Sequence, residues 1–186
     1  NKSTKLSLME SRFGGYWRYP NLIDFCYLVN PFYPTKRLID EIKTNTERLI
    51  RDYPSGLKVN NLLVSEYFEI DSENIIVGNG ASELIKVMMD HIKGNIGIIV
   101  PTFEEYPNRS NHLNIVEYST NLTDYKYSSL EIIEFFKDKD LDYLLLINPD
   151  NPSGNYIKKS DVFKLLEWGL EKDINIILDE SFIDFV

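Results

Sequence analysis

Short apolar segments that alternate with amphipathic segments are the feature that most limits how this chain can fold. Three of the apolar segments, Ile96–Val100, Tyr143–Ile147 and Ile174–Leu178, consist almost entirely of aliphatic residues. Strands that are apolar along their whole length belong in a parallel sheet with helices on both faces. The helical spacing of apolar residues in Ala81–Ile92 and Ser160–Glu171 predicts such covering helices. The sequence therefore predicts a three-layer α/β/α fold with a mostly parallel sheet.

The remaining segments extend this alternation and suggest how the chain is divided. We expect further strands at 75–77 and 115–118, and further helices at 34–51, 104–112 and 129–137, with a short helix near the start of the chain at 2–10. Residues 1–33 are predicted to form an N-terminal arm and loop, and residues 34–186 one α/β domain. The chain begins with Asn and stops just after an apolar strand, so we expect it to be part of a longer polypeptide, with the domain incomplete at its C-terminus.

Charge and composition exclude several classes of function. The 186 residues include 20 Lys and Arg against 29 Asp and Glu, a net charge of -9. Such a surface repels phosphate backbones and anionic lipids, which argues against nucleic-acid and membrane partners. A single cysteine, Cys26, excludes an internal disulfide and fits a cytoplasmic protein. One cysteine and two histidines provide no metal-ligand spacing, and no apolar stretch is long enough for a transmembrane helix.

Four loops with unusual polar residues follow predicted strands. They are GNGASE at 78–83, PTFEEYP at 101–107, NPDNPSG at 148–154 and DESF at 179–182. The carboxyl ends of parallel strands meet at one edge of a sheet, which is where ligands bind in open α/β folds. We therefore expect the four loops to form one ligand site.

The first loop has the features of a phosphate-binding helix start. Gly80 allows a close backbone approach, and the N–H groups of Ala81 and Ser82 would face an anion at the N-terminus of the helix. The alternative is an ordinary turn in which Ser82 caps the helix. The loop is neither a dinucleotide fingerprint, because Glu83 stands at the third glycine position, nor a Walker loop, because no Gly-Lys-Ser/Thr follows. It is suited to a single phosphate.

The other loops supply one candidate residue each. Asp179 is expected to be buried and to require a cationic or strongly donating partner; the alternative is a carboxylate bound by local N–H groups. Asn151 lies between two prolines that restrict its backbone, so it is either a fixed amide donor or part of a rigid turn, in which Asn148 and Gly154 only shape the loop. Phe103 offers either a stacking face or a core aromatic. A phosphate cradle, a stacking ring, an amide and a carboxylate together meet the needs of pyridoxal 5′-phosphate, whose pyridine nitrogen a carboxylate keeps protonated.

The order of these motifs resembles the fold-type I pyridoxal-phosphate enzymes of the class I/II aminotransferase group. NPDNPSG and DESF are similar to the family's most specific motifs, and the branch with histidinol-phosphate aminotransferases and threonine-phosphate decarboxylases is the most alike. The resemblance implies that Gly80, Ala81 and Ser82 bind the cofactor phosphate and that Phe103 stacks on the ring. It further implies that Asn151 donates to the phenolic oxygen and that Asp179 pairs with the ring nitrogen. Tyr53 would reach the phosphate of the neighbouring subunit in a homodimer.

The resemblance also implies an activity, an aminotransferase that moves an amino group between an amino acid, or an amino-phosphate or amino-phosphonate compound, and a keto acid. The family's Schiff-base lysine and substrate-carboxylate arginine are expected beyond Val186, so this chain alone would hold no catalytic residue and be inactive. Two alternatives remain open, a decarboxylase of amino-acid phosphates and a non-catalytic module. Two positions depart from the family's pattern. Leu28 stands where the decarboxylases have an asparagine, and Phe182 stands where many aminotransferases have a tyrosine. The aromatic segment at 13–20 resembles modules fused to nucleotidyltransferases.

Overall fold

The computed structural model describes Asn21, Ile23 and residues 30–120 and 123–186. Predictions that concern residues 2–20, Cys26 and Leu28 lie outside this part of the chain. Contacts divide the chain into two compact units, one up to Gly56 and one from Leu57 to Val186. The functional division that the sequence suggests between residues 33 and 34 stays a prediction.

The first unit contains one described helix, α1, at Lys36–Arg51. The side chain of Thr35 caps this helix by accepting the N–H of Leu38. Arg48 and Arg51 lie in the last turn, where positive charge interacts favourably with the helix dipole. The predicted helix at 34–51 is therefore confirmed.

The second unit is built on a four-stranded parallel sheet in the order β2-β1-β3-β4. The strands are β1 at Asn95–Val100, β2 at Asn114–Ser119, β3 at Tyr143–Ile147 and β4 at Asn175–Asp179. The strands predicted at 96–100, 115–118, 143–147 and 174–178 are each confirmed to within one residue at either end. Continuous runs of Ile, Leu and Val produce this agreement, because both faces of each central strand are covered.

The described residues of the second unit form four α-helices: α2 at Leu57–Phe68, α3 at Ala81–His91, α4 at Ser129–Phe136 and α5 at Lys159–Lys172. The last three were predicted. Helix α2 was not, because its apolar residues are spread around the helix and form no clear stripe. In the described ranges, no helix is both long and apolar enough to cross a membrane.

Alternating side chains of the central strands divide the core into two layers. Leu144 and Leu146 point to the side that α4 and α5 cover, in a cluster with Phe136 and Leu165. Leu145 points to the opposite side and packs against α3 in a second cluster. This cluster consists of Ile85, Met89, Ile96, Ile98, Tyr106, Leu113, Leu145 and Ile147. Helices thus cover both faces, and the predicted three-layer α/β/α fold is confirmed.

The strand predicted at 75–77 is not formed. Ile75 has an extended backbone, but this segment pairs with no strand among the described residues. The N–H of Val77 instead donates to the side chain of Asn61 at 3.0 Å, and Ile76 is exposed. Extended conformation alone does not make a strand, because a ladder requires a neighbour.

The helix predicted at 104–112 is also wrong. The segment forms a turn followed by a single 3₁₀ turn at Pro107–Arg109. Pro107 has no N–H for an α-helical bond. The hydroxyl of Ser110 donates to the carbonyl of Tyr106 at 2.6 Å, and such side-chain bonds compete with continued helix.

Candidate active site

The sheet order creates a crevice at the carboxyl ends of β1 and β3. From β1 the chain passes to β2 on one side, and it returns to form β3 on the other side of β1. Such a reversal is the topological switch point at which open α/β folds bind ligands. The loops at 101–107 and 148–154 leave the sheet here, and the loop at 179–182 follows β4 on the same edge. Three of the four polar loops are thus brought together as predicted, whereas the loop at 78–83 follows the unpaired segment and enters α3.

The start of α3 is open to an anion. Gly80 has a φ of +87°, a conformation that disfavours side chains, and open space surrounds the position where a Cβ would stand. No side chain caps the helix at this residue, so the predicted alternative of a cap by Ser82 is not formed. The carboxylate of Glu83 accepts the N–H of Asn79 and closes the loop. The first N–H groups of a helix have no intrahelical acceptor and are free to bind a phosphate.

Asp179 ends β4 and is held by three donors. Its Oδ2 accepts the hydroxyl of Tyr106 at 2.8 Å. Its Oδ1 accepts the N–H of Ser181 at 2.9 Å and the hydroxyl of the same residue at 2.5 Å. The expected donating partner is present and is a tyrosine, and the alternative of local N–H groups is also met in part, by the N–H of Ser181. The expectation of full burial is wrong: Asp179 is half-buried, because β4 is an edge strand of the described sheet.

Tyr106 is a site residue that the sequence reasoning missed. Only 3% of its surface is exposed, and burial, together with the neighbouring Asp179, raises the pKa of its hydroxyl. The group therefore stays a neutral phenol that donates to the carboxylate. A signal existed in the sequence, since the predicted buried carboxylate needed a donor and a tyrosine stands three residues after Phe103 on a loop of the same edge.

The two asparagines of the 148–154 loop differ in their surroundings. Asn148 is 3% exposed, and its amide bonds both the carbonyl and the N–H of Ile157, at 2.9 and 2.8 Å. Its own N–H donates to the carbonyl of Asp179 at 2.8 Å. Asn148 shapes the loop, as predicted. Asn151 is half-buried, and its side-chain amide bonds no described residue, so this group is available to a ligand.

Asp150 supports this loop from within. The residue is 5% exposed, accepts the hydroxyl of Ser153, and donates its N–H to the carbonyl of Asn155 at 2.8 Å. Burial raises the pKa of its carboxyl above the usual range. Gly154 completes the turn with a φ of +71° and donates its N–H to the Asp150 carbonyl. These contacts give Asn151 a rigid base.

Phe103 has features of both predicted roles. Its ring lies edge-on to that of Tyr106, with ring centroids 6.4 Å apart, and it packs against the α3-side core cluster. The side chain nevertheless remains only half-buried. It is anchored on one side by the core and accessible on another.

A cavity of about 760 Å³ joins parts of this region. It is lined by Ala81 at the start of α3, by Tyr106, and by Asp179 and Ser181 at the end of β4, together with apolar side chains of α3. Phe103 and Asn151 are not among its lining residues.

Tyr53 belongs to the first unit, and its side chain is 98% exposed.

The sequence profile of aminotransferase class I and II matches residues 30–186. The chain belongs to this family. Its members are pyridoxal-phosphate enzymes, and the open α3 start, the restrained carboxylate of Asp179 and the available amide of Asn151 fit that cofactor. The resemblance that the motifs suggested is confirmed, together with the fold.

Individual members of the family show how far the similarity extends. The CMP-5′-(3-aminopropyl)phosphonate synthase of Streptomyces rubellomurinus is 27% identical over 96% of this chain and 28% of its own length. The L-serine phosphate decarboxylase of Campylobacter jejuni is 34% identical over 88% of this chain and 44% of its own length. The crystal structure of histidinol-phosphate aminotransferase from Clostridium acetobutylicum matches with a TM-score of 0.71 and 28% identity, over 88% of this chain and 48% of the other. The chain spans less than half the length of each.

Proposed function

We propose that this chain is the cofactor-binding part of a pyridoxal-phosphate-dependent aminotransferase. The observation that carries the proposal is the position of Asp179. Its carboxylate is restrained by Tyr106 and Ser181 and lines one cavity with Ala81 at the open start of α3. A phosphate group and a protonated ring nitrogen are the two charged ends of pyridoxal phosphate, and this arrangement offers a partner for each.

Each candidate residue has a role in this proposal. The backbone of Gly80, Ala81 and Ser82 binds the phosphate, and Asp179 accepts the N–H of the protonated ring nitrogen. Asn151 donates its amide to the phenolic oxygen, and Phe103 stacks on the ring. The bound cofactor supplies an electron sink for a carbanion at the substrate Cα. The negative charge of Asp179 keeps the ring nitrogen protonated.

The whole protein is proposed to provide what these residues lack. A Schiff-base lysine and an arginine for the substrate carboxylate are expected after Val186, and Tyr53 is proposed to bind the cofactor phosphate of a second subunit in a cytoplasmic homodimer. The substrates are proposed to be an amino acid or an amino-phosphate or amino-phosphonate compound and a keto acid. The names of the relatives support this class, since all three contain a phosphate or a phosphonate. Fusion to a nucleotidyltransferase domain is proposed from the resemblance of the aromatic segment at 13–20.

A decarboxylase of amino-acid phosphates is the second candidate. It is favoured by the 34% identity to an L-serine phosphate decarboxylase. The same cofactor chemistry serves both reactions, because each generates electron density at the substrate Cα. In either case the residues described above are proposed to bind the cofactor, and this role does not determine which bond at the substrate Cα is broken.

The proposed function is tested with the intact protein and pyridoxal phosphate. We expect Asp179→Asn to weaken cofactor binding at least about tenfold, because the neutral amide removes the charge that pairs with the ring nitrogen. Asp184→Asn is the matched control, because Asp184 is exposed and its substitution changes the net charge by the same amount. Equal cofactor affinity in the two variants, or no cofactor binding by the unmodified protein, contradicts the proposal.

A second assay separates the two reactions. The intact protein is incubated with phosphoserine or 3-aminopropylphosphonate and a keto acid. Consumption of the keto acid with formation of a new amino acid supports the aminotransferase. Release of carbon dioxide from phosphoserine without consumption of the keto acid supports the decarboxylase instead.

A further inference from the structure

The carboxylate of Asp179 is held on both of its oxygens. Oδ1 accepts two bonds from Ser181, one from the N–H at 2.9 Å and one from the hydroxyl at 2.5 Å. Oδ2 accepts one bond from the hydroxyl of Tyr106 at 2.8 Å. A carboxylate cannot rotate about its Cβ–Cγ bond without breaking these bonds, so its plane is fixed.

Three donors leave room for one more. An ionised carboxylate offers about four lone-pair sites, two on each oxygen. Both sites of Oδ1 are used by Ser181, and one site of Oδ2 is used by Tyr106. No other described residue donates to this group. The remaining site is on Oδ2, and it accepts a single N–H or O–H donor, which is what the protonated nitrogen of a pyridine ring presents.

Tyr106 is built as a rigid donor. It belongs to the α3-side core cluster, and its ring is braced edge-on by Phe103. Its carbonyl accepts the hydroxyl of Ser110 at 2.6 Å, and its N–H donates to the Phe103 carbonyl at 3.2 Å. From the loop after β1 it reaches past the end of β3 to β4, so its hydroxyl has a position that the core determines.

We infer that Tyr106, assisted by Ser181, is a positioning residue that aims the free lone pair of Asp179 Oδ2 at the cofactor's ring nitrogen. This inference rests on the proposed function. Because Tyr106 and the ring nitrogen share one oxygen, loss of the phenol acts directly on the bond to the cofactor. The residue acts through Asp179 and does not itself touch the substrate.

The test compares pyridoxal phosphate with its carbocyclic analogue, in which C–H replaces the ring nitrogen. Dissociation constants of both are measured on the intact protein by absorbance titration. We expect Tyr106→Phe to weaken binding of pyridoxal phosphate about tenfold and to leave binding of the analogue unchanged, because only the first ligand bonds Asp179. Ser181→Ala is expected to cause a smaller selective loss, since its N–H remains.

Tyr118→Phe is the matched control. Tyr118 lies on β2 in the opposite core layer, where its ring packs against Phe135 and Phe136. The variant removes a tyrosine hydroxyl that is far along the sheet from Asp179, and both dissociation constants should be unchanged. Far-UV circular dichroism confirms that each variant is folded.

The outcomes separate this inference from the proposed function. If the unmodified protein binds both ligands equally, Asp179 does not pair with the ring nitrogen and both proposals fail. If it prefers pyridoxal phosphate and Tyr106→Phe keeps that preference, or weakens both ligands equally, only the positioning role is overturned. If Tyr106→Phe does not fold, Ser181→Ala decides: a selective loss supports the inference, and an unchanged preference overturns it.

Discussion

Replacing Asn148 by Ala should destabilise the second unit strongly, whereas the same change at Asn151 should not. In the folded chain the Asn148 amide bonds both backbone groups of Ile157, which is itself 5% exposed. Alanine leaves a buried N–H and a buried carbonyl without partners. Each such group costs about 1–3 kcal/mol, and with partial relaxation we expect a combined loss of about 2–4 kcal/mol in the free energy of unfolding.

Asn151→Ala is the control for this prediction, because it removes the same amide three residues away. Its side chain bonds no described residue, so we expect a change within about 0.5 kcal/mol in the free energy of unfolding. In the proposed site this variant should instead weaken binding of pyridoxal phosphate about fivefold to tenfold, through loss of the bond to the phenolic oxygen.

Both variants are measured by urea unfolding of the intact protein without added cofactor, followed by far-UV circular dichroism. Omitting the cofactor matters, because a ligand that binds only the folded state adds stability of its own. A loss below about 1 kcal/mol for Asn148→Ala refutes the assignment of this residue to loop structure. An equal loss for the two variants would instead contradict the ligand-binding role of Asn151 and make the whole segment a plain rigid turn.

Two further predictions concern the core and the buried carboxylate. Gly97→Ala should lower the free energy of unfolding by about 1–3 kcal/mol, because the added Cβ would stand 2.9 Å from Phe136 and 3.0 Å from Leu141 and Leu144. A change below about 0.5 kcal/mol in the free energy of unfolding, measured in urea, contradicts this prediction. Burial raises the pKa of Asp150 above its ordinary value of 3.8, so the stability that its protonated carboxyl contributes is fully present below pH 3.8 and is lost as the pH rises through the raised pKa of the folded chain. Asp150→Asn should remove this part of the decline, which unfolding measurements on both proteins from about pH 4 to 8 would show as a difference that grows as the pH rises through that pKa and is constant above it.

The sequence was sufficient for the sheet because the strands carry their own signal. A run such as Tyr143–Ile147 is apolar on both faces, and only a strand covered on two sides accommodates it. The segment at 75–77 has a similar composition, yet it forms no strand, since pairing depends on a neighbour that local composition does not reveal. Helix α2 was missed for the opposite reason: the segment is helical without an amphipathic stripe.

The candidate site was predictable in its residue types and only in part in its contacts. Asp179 and Asn151 were recognisable because polar residues follow apolar strands at the edge where ligands bind. The bond between Tyr106 and Asp179 joins residues 73 positions apart. It exists because the order β2-β1-β3-β4 places the loop after β1 within reach of β4, and the order of strands is a property of the whole fold.

The pairing of β3 with β4 also keeps Asp179 on the correct face of the sheet, because it fixes the register of β4. Ile147 stands opposite Asp179, and the N–H of Asn148 continues this ladder to the Asp179 carbonyl. Successive side chains of a strand point to opposite faces, so a shift of β4 by one residue would turn Asp179 away from Tyr106 and toward the apolar layer beneath α4 and α5. A carboxylate without partners in that layer costs several kcal/mol. A register that disables the site is therefore also strongly destabilising, so a chain that folds stably has Asp179 in the position that the ligand-binding edge requires.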